Sequence, residues 1–164
     1  MLKGLMMDRP LLVCDLIEFG SEVHAATTLT SVSVEGGTTR QTLRETRARV
    51  AKLANALKAM GVEPGDRVAT LAWNTNRHLE LYFAISGIGA VCHTINPRLF
   101  PEQLVYIANH AQDKALFFDL TFVPLVEKLR DQFKTIRRYV VLTDREHMPA
   151  GTSIADLGCY EEFL

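Results

Sequence analysis

From Arg67 onward, apolar and polar positions follow one repeating unit: a short β-rich apolar run, a loop, an amphipathic segment, then another apolar run. The pattern predicts strands over Val68–Ala72, Ala90–Ile95, Ala115–Phe118 and Tyr139–Leu142. Between them it predicts helices over Arg77–Ser86, Pro101–Ala111 and Phe122–Phe133. Three connections of this length suit parallel pairing, because parallel strands need a crossover of about a dozen residues or more, usually a helix. The alternation therefore implies an α/β fold with a partly parallel sheet flanked by helices.

Local chemistry fixes several boundaries. Thr42-Leu43-Arg44-Glu45 is a capping box, after which Val50, Leu53, Ala54, Leu57 and Met60 recur at three-and-four spacing until Gly61 can end the helix. Pro64-Gly65 predicts a turn, Asn76 a cap for the next helix, and Pro101 a first helical position. Thr121 is the expected cap of the helix after it, with Pro124 tolerated in the first turn. Upstream, Leu11–Phe19 reads as a short apolar helix, and Thr30–Val34 with Thr38–Gln41 as a β-hairpin around Glu35-Gly36-Gly37. Asp144–Gly158 carries Pro149, Gly151 and Gly158 without periodicity and reads as a loop before a final short element, Cys159–Leu164. No linker composition divides residues 1–164, so a single domain is expected.

Composition narrows the function classes. The chain has 164 residues, 48% of them apolar, with 18 basic and 19 acidic side chains and a net charge of −1. That balance excludes the basic footprint of a dedicated nucleic-acid binder and the charge excess of a disordered tail. Cys14, Cys92 and Cys159 are an odd, widely spaced set, which predicts neither a disulfide framework nor a metal or redox pair and fits a reducing cytoplasm. The apolar start Met1-Leu2-Lys3-Gly4-Leu5-Met6-Met7 is cut by Asp8 and Arg9, too early for a signal peptide. The longest stretch free of charged residues, Leu81–Pro97, falls below the roughly 18 apolar residues of a spanning helix.

Candidate chemistry is sparse. Gly36-Gly37-Thr38-Thr39-Arg40 holds the only glycine pair, yet it lacks both the Gly-Lys-Ser/Thr of a phosphate loop and the three spaced glycines of a dinucleotide fingerprint, so a hairpin turn is expected. Gly87-Ile88-Gly89 precedes a strand, the wrong side for dinucleotide binding, and is read as close helix packing. His24, His78, His93, His110 and His147 form no metal-spaced set, and His93, inside an apolar run, is expected in the core or at a sheet edge. No Gly-x-Ser-x-Gly elbow supplies a serine nucleophile. Arg44, Arg47, Arg49, Lys52 and Lys58 give one helix a basic character, read as a solvated face. Asp119, at a predicted strand end, is where a receiver domain of the flavodoxin-like class could carry its phospho-acceptor.

Several runs in order resemble the N-terminal region of the AMP-forming acyl-CoA synthetases, members of the adenylate-forming superfamily. They are residues 53–71, LANALKAMGVEPGDRVATL; Trp73-Asn74 with His78-Leu79-Glu80-Leu81-Tyr82-Phe83-Ala84; residues 87–99, GIGAVCHTINPRL; and Tyr106-Ile107-Ala108-Asn109-His110-Ala111. The His-Leu-Glu and His-Thr-Ile-Asn-Pro-Arg-Leu variants look most like the medium- and long-chain fatty acid ligase branch, including enzymes for methylthioalkanoates. The resemblance implies a fatty-acid–CoA ligase that uses ATP and Mg²⁺ to make an acyl-adenylate, then passes the acyl group to coenzyme A. It also implies a cytoplasmic homodimer joined through N-terminal regions, for which Met6, Met7, Asp8 and Arg9 are the candidate contacts.

The family's Thr-Ser-Gly-Thr-Thr-Gly-x-Pro-Lys-Gly loop, its Tyr-Gly-x-Thr-Glu segment, its ribose-binding aspartate and its C-terminal lysine have no counterpart among these residues, and Gly36–Thr39 is not that loop. No catalytic, cofactor-binding or metal-binding residue is therefore assigned, and the chain is expected to be an N-terminal subdomain, inactive alone, whose partner is the remainder of a ligase chain. The alternative is a free-standing binding or assembly module that uses the ligase scaffold without its chemistry.

Overall fold

A computed structural model describes Gly4 and residues 7–164. The chain opens with α1 (Val13–Val23), followed by the antiparallel ribbon β1 (Thr28–Val32) and β2 (Thr38–Thr42). Next comes α2 (Leu43–Ala59), whose capping box forms as the sequence predicts: Thr42 Oγ1 accepts from the Glu45 N–H, and the Thr42 N–H donates to the Glu45 carboxylate. Gly61, at φ +87°, makes the left-handed exit that a side chain would oppose.

Then follow β3 (Arg67–Leu71), α3 (Asn76–Gly87), β4 (Val91–Thr94), α4 (Pro101–Ala111) and β5 (Ala115–Phe118). The chain ends in α5 (Val123–Leu129), β6 (Arg138–Val141), β7 (Gly158–Cys159) and α6 (Tyr160–Phe163). The strands β3 to β7 form one sheet in the order β4-β3-β5-β6-β7, and every pairing within it is parallel.

Strand alternation sorts the core into two layers. Val68, Ala115, Phe117, Val140 and Leu142 face α2 and α3, where they meet Leu53, Leu57, Leu81 and Ile85. Ala69, Leu71, Leu116, Phe118 and Val141 face α4 and α5, where they meet Leu104, Ala108, Val126 and Leu129. Phe117 and Phe118 are adjacent, both wholly buried, and fill opposite layers, each contributing about 1.5–3 kcal/mol of apolar burial. A run buried on both faces is what a central parallel strand requires.

The structure departs from the sequence expectations in four places. The first helix lies over Val13–Val23 instead of Leu11–Phe19, because its inward residues Ile17 and Gly20 set its position against α2. The expected helix over Phe122–Phe133 is a short α5 framed by 3₁₀ turns at Leu120–Phe122 and Arg130–Gln132, so Thr121 lies inside a turn and caps nothing. Thr75, not Asn76, caps α3, accepting from the His78 N–H. Asn76 instead faces the ribbon: its N–H donates to Ser31 Oγ at 3.1 Å and its amide lies 3.4 Å from Gln41. Finally, β7 adds a fifth parallel strand inside the segment read as loop and terminal element.

Candidate functional site at the carboxyl edge of the sheet

Strand order reverses between β3 and β5. The chain leaves β3 into α3 on one face of the sheet and leaves β5 into α5 on the other. A crevice at such a reversal, outside the carboxyl ends of the strands, is where open α/β sheets take ligands. Here the β3–α3 loop supplies Trp73 and the β5–α5 turn supplies Asp119 and Thr121. Trp73 is 43% exposed. Its ring packs 5.3 Å from Phe122, and its indole N–H reaches Thr121 Oγ1 at 3.4 Å.

Asp119 ties the two loops together. It is buried, and its Oδ2 accepts the Trp73 backbone N–H at 2.6 Å. Burial, aided by the nearby Glu35 charge, lifts its carboxyl to about 6, against the pull of the Trp73 N–H and the Arg77 charge. A receiver-type phospho-acceptor needs an open carboxylate, and this setting does not offer one.

Beside Asp119 lies an ionic network. Arg77, in the first turn of α3, donates to Glu35 in the β1–β2 turn, to Glu161 of α6 at 2.9 Å and to the Leu142 carbonyl at 3.0 Å. Thr143 Oγ1 also donates to Glu35 at 2.8 Å. The burial of Glu35 works to raise its carboxyl, but its own backbone N–H, Thr143 and Arg77 hold it below the usual range. Its second oxygen, Oε2, is buried without a partner.

Arg49 of α2 grips Glu161 with two parallel hydrogen bonds at 2.9 and 3.0 Å and donates to Glu80 at 2.7 Å. Glu80 of α3 is wholly buried; it also accepts from Tyr160 at 2.7 Å and from Gln41 at 3.0 Å. Burial and the Glu80 carboxylate push the Tyr160 phenol well above its ordinary range. The network thus fastens α2, α3, α6 and the ribbon to the carboxyl edge of the sheet.

The residues singled out from sequence fall in separate places. Met7, Asp8 and Arg9 are exposed at the start of the described chain, with Arg9 3.2 Å from Asp15; Met6 lies outside the described residues. Gly36 and Gly37 take φ +101° and +81° in the β1–β2 turn, the hairpin role expected of them. His93 sits on edge strand β4 with Nδ1 2.8 Å from the buried Asp113. His78, whose ring burial lowers its basicity, hydrogen bonds Thr70 at 2.9 Å.

On the basic helix, Arg44, Lys52 and Lys58 are exposed, as expected of a solvated face, but Arg47 and Arg49 are not. Arg49 turns inward to Glu80 and Glu161, and Arg47 pairs with Glu18 of α1 at 2.8 Å. Sequence reading missed Glu35, Arg77, Glu80, Asp113 and Glu161. Only Glu80 left a trace, as a carboxylate four positions before Ala84 on the apolar stripe of α3. Among the described residues no three His, Cys, Asp or Glu side chains gather as a metal site, and no helix is long and apolar enough to cross a membrane.

Residues 21–161 match the family described as AMP-binding enzyme. The chain is 48% identical over 98% of its length to a 3-methylmercaptopropionyl-CoA ligase of Ruegeria lacuscaerulensis, covering 30% of that protein. It is 41% identical over 98% of its length to a medium-chain-fatty-acid–CoA ligase of Ectopseudomonas oleovorans, covering 29% of it. The coronafacic acid ligase of Pectobacterium brasiliense shares the fold with a TM-score of 0.78 over 93% of this chain and 29% of that one, at 16% identity. The chain thus spans about 30% of the length of the curated relatives it matches.

Proposed function

The chain belongs to the AMP-binding enzyme family, and from that premise we propose that its residues form the N-terminal subdomain of a fatty-acid-type acyl-CoA ligase. Such an enzyme activates a carboxylate with ATP and Mg²⁺ to an acyl-adenylate, releasing pyrophosphate, and then transfers the acyl group to the thiol of coenzyme A. The observation that carries this reading is the 48% identity to a CoA ligase across nearly the whole chain. The substrate class follows from the same relatives: a thioether-bearing or medium-chain fatty carboxylate. Its expected place is the cytoplasm.

These residues do not by themselves fit ATP. A triphosphate needs a cradle of free backbone N–H groups and cationic charge. The one glycine-rich turn offers neither. The Gly36 N–H donates to the Ser33 carbonyl at 3.2 Å, and Glu35 places a carboxylate beside it. At the carboxyl edge, Arg49 and Arg77 are both engaged by glutamates. The work of this part of the chain is therefore architectural: it carries the parallel sheet and locks the loops at its carboxyl edge.

Two measurements test the proposal. In an ATP–pyrophosphate exchange assay with a panel of fatty and methylthioalkanoic acids, the 164-residue chain is expected to give only background; turnover above it would overturn the assignment of a purely structural role. The second measurement concerns self-association. Leu12, just ahead of α1, and Leu16, Phe19 and Val23 on it are exposed apolar residues behind Met7, Asp8 and Arg9, and exposed apolar surface of this kind marks an interaction site. The chain is expected to form a homodimer through this N-terminal region. Removing residues 1–9 should lower the mass in solution towards that of one chain, and an unchanged mass would sink the idea.

A further inference from the structure

The β1–β2 ribbon presents one edge that the rest of the described chain leaves open. Its register pairs Leu29 with Gln41 and Ser31 with Thr39. The Leu43 N–H donates to the Thr27 carbonyl at 2.9 Å and the Ser33 N–H to the Gly37 carbonyl at 3.3 Å, and these two bonds fix which pairs of the ladder are hydrogen bonded. Bonded pairs alternate with non-bonded ones in an antiparallel ladder. Leu29 and Ser31 therefore turn their N–H and C=O groups to β2, while Thr28, Thr30 and Val32 turn theirs away from it. Among the described residues no donor or acceptor meets those outward groups. Residues 28–34 read Thr-Leu-Thr-Ser-Val-Ser-Val, with no charge and no proline. Open edges are usually guarded by a charge, a proline or shortness. β2 carries the exposed Arg40 and β7 is only two residues long, whereas β1 has no such guard.

A groove of about 320 Å³ runs along that edge. Leu29, Thr30 and Ser31 of β1 line one side of it and no β2 residue reaches it; Asn74 of the β3–α3 loop and Leu79 and Tyr82 of α3 line the other. The Tyr82 ring is 38% exposed and is held by stacking on His78 at 4.7 Å. We infer that the free edge of β1 takes up an extended, uncharged segment of the remaining ligase chain as a third strand laid in this groove. This rests on the reading of these residues as part of a longer ligase, the curated relatives extending well beyond the 30% that this chain spans. The outward groups recur at every second residue, about 6.8 Å apart, a repeat that another extended backbone reproduces and a compact ligand does not. Leu29, Leu79 and Tyr82 ask for apolar side chains at alternate positions of the entering segment, and the exposed face shared by Thr28, Thr30 and Val32 asks for polar ones between them. No Asp, Glu, Lys or Arg lines the groove, so an uncharged segment suits it. A two-stranded ribbon is marginal by itself, and a third strand gives it independent stability. The added strand also steadies Ser31 and Gln41, which hold Asn76 and Glu80.

The probe is a synthetic peptide, acetyl-Lys-Thr-Leu-Thr-Val-Thr-Leu-Thr-Lys-amide, in which apolar residues alternate with Thr and the end lysines keep it soluble. Added to the ¹⁵N-labelled chain, it is expected to slow amide hydrogen exchange at Thr28, Thr30 and Val32 by about tenfold or more, with half-saturation at about 1 mM or below. Leu29 and Ser31, already bonded to β2, should change far less. The same peptide with proline at its central valine should bind at least about fivefold more weakly. Thr30→Pro removes one outward N–H without costing a ribbon bond, and should weaken binding by about fivefold or more in a chain whose amide spectrum stays folded. Tyr82→Ala leaves the edge intact but opens the groove; it should weaken binding by about threefold or more and carries the test if the proline variant does not fold. The proposal is overturned if no protection appears at about 5 mM peptide, if Leu29 and Ser31 gain as much protection as their neighbours, or if the folded variants bind as tightly as the parent chain. It is likewise overturned if Thr28, Thr30 and Val32 become protected with rising protein concentration and no peptide, because the occupant is then a second copy. None of these results alters the family assignment, which stands on sequence identity, or the ATP–pyrophosphate exchange test, so the two readings fail separately.

Discussion

Replacing Glu80 by alanine is expected to lower the free energy of unfolding by about 3–5 kcal/mol, the range for removing one member of a buried, hydrogen-bonded charge pair. Glu80 is wholly buried, and its two oxygens serve Arg49, Tyr160 and Gln41. The alanine variant leaves the Tyr160 hydroxyl without that partner in an apolar layer and leaves Arg49 with Glu161 alone. A domain of this size is stable by only about 5–15 kcal/mol, so the loss takes a large share of the total. Urea unfolding followed by circular dichroism measures it. Glu80→Gln, which keeps an acceptor for Tyr160 while dropping the charge, should cost clearly less. A loss below about 1 kcal/mol in the alanine variant would mean that the network is not held by Glu80.

The second large effect has the opposite sign. Asp119→Asn is expected to stabilise the chain at pH 8 by about 2 kcal/mol, because it removes a buried charge that the fold tolerates poorly. Its carboxyl sits near 6 in the folded chain, against about 3.9 unfolded. The unfolded chain therefore gives up the proton first. The stability contributed by the neutral acid is present in full below about pH 4 and lost as the pH rises through 6. A shift of about two units corresponds to roughly 3 kcal/mol, part of which imperfect packing of the amide takes back. The advantage of the variant should accordingly shrink towards zero on acidification to about pH 4. Parallel urea titrations at both pH values check the sign. If the variant is destabilised at pH 8, Asp119 is held as a comfortable anion and the reasoning about its burial fails.

How much was legible before folding depends on the range of the interactions. Ala115–Phe118 was placed to the residue, because a run buried on both faces carries its own signal and needs no partner to be read. The Thr42–Glu45 box was equally legible, being closed within four positions of the chain. Asn76 was misread as a cap because Thr75 and Asn76 compete for that role, and only the ribbon, from more than thirty positions away in sequence, decides between them. Strand β7 was missed for a related reason. Gly158–Cys159 is two residues long and becomes a strand only because Val140 and Val141 lie beside it.

The candidate site was harder still. Glu35, Arg77 and Glu161 come from a turn, a helix and the end of the chain, and each alone looks like an ordinary surface charge. Bringing opposite charges together out of water requires the sheet between them, and no short-range pattern records that.

The amino-acid sequence by itself determined the α/β class, the central strands, the best-capped helix and, through its resemblance, the family. Those properties rest on hydrophobic period, capping and motif order, all of which are local. The tertiary structure alone decided the strand order, the point between β3 and β5 where that order reverses, the burial of Asp119 and the assembly of the Glu35–Arg77–Glu161 network. Burial and pairing depend on what the rest of the chain places alongside a residue, so they exist only after folding has brought distant segments together.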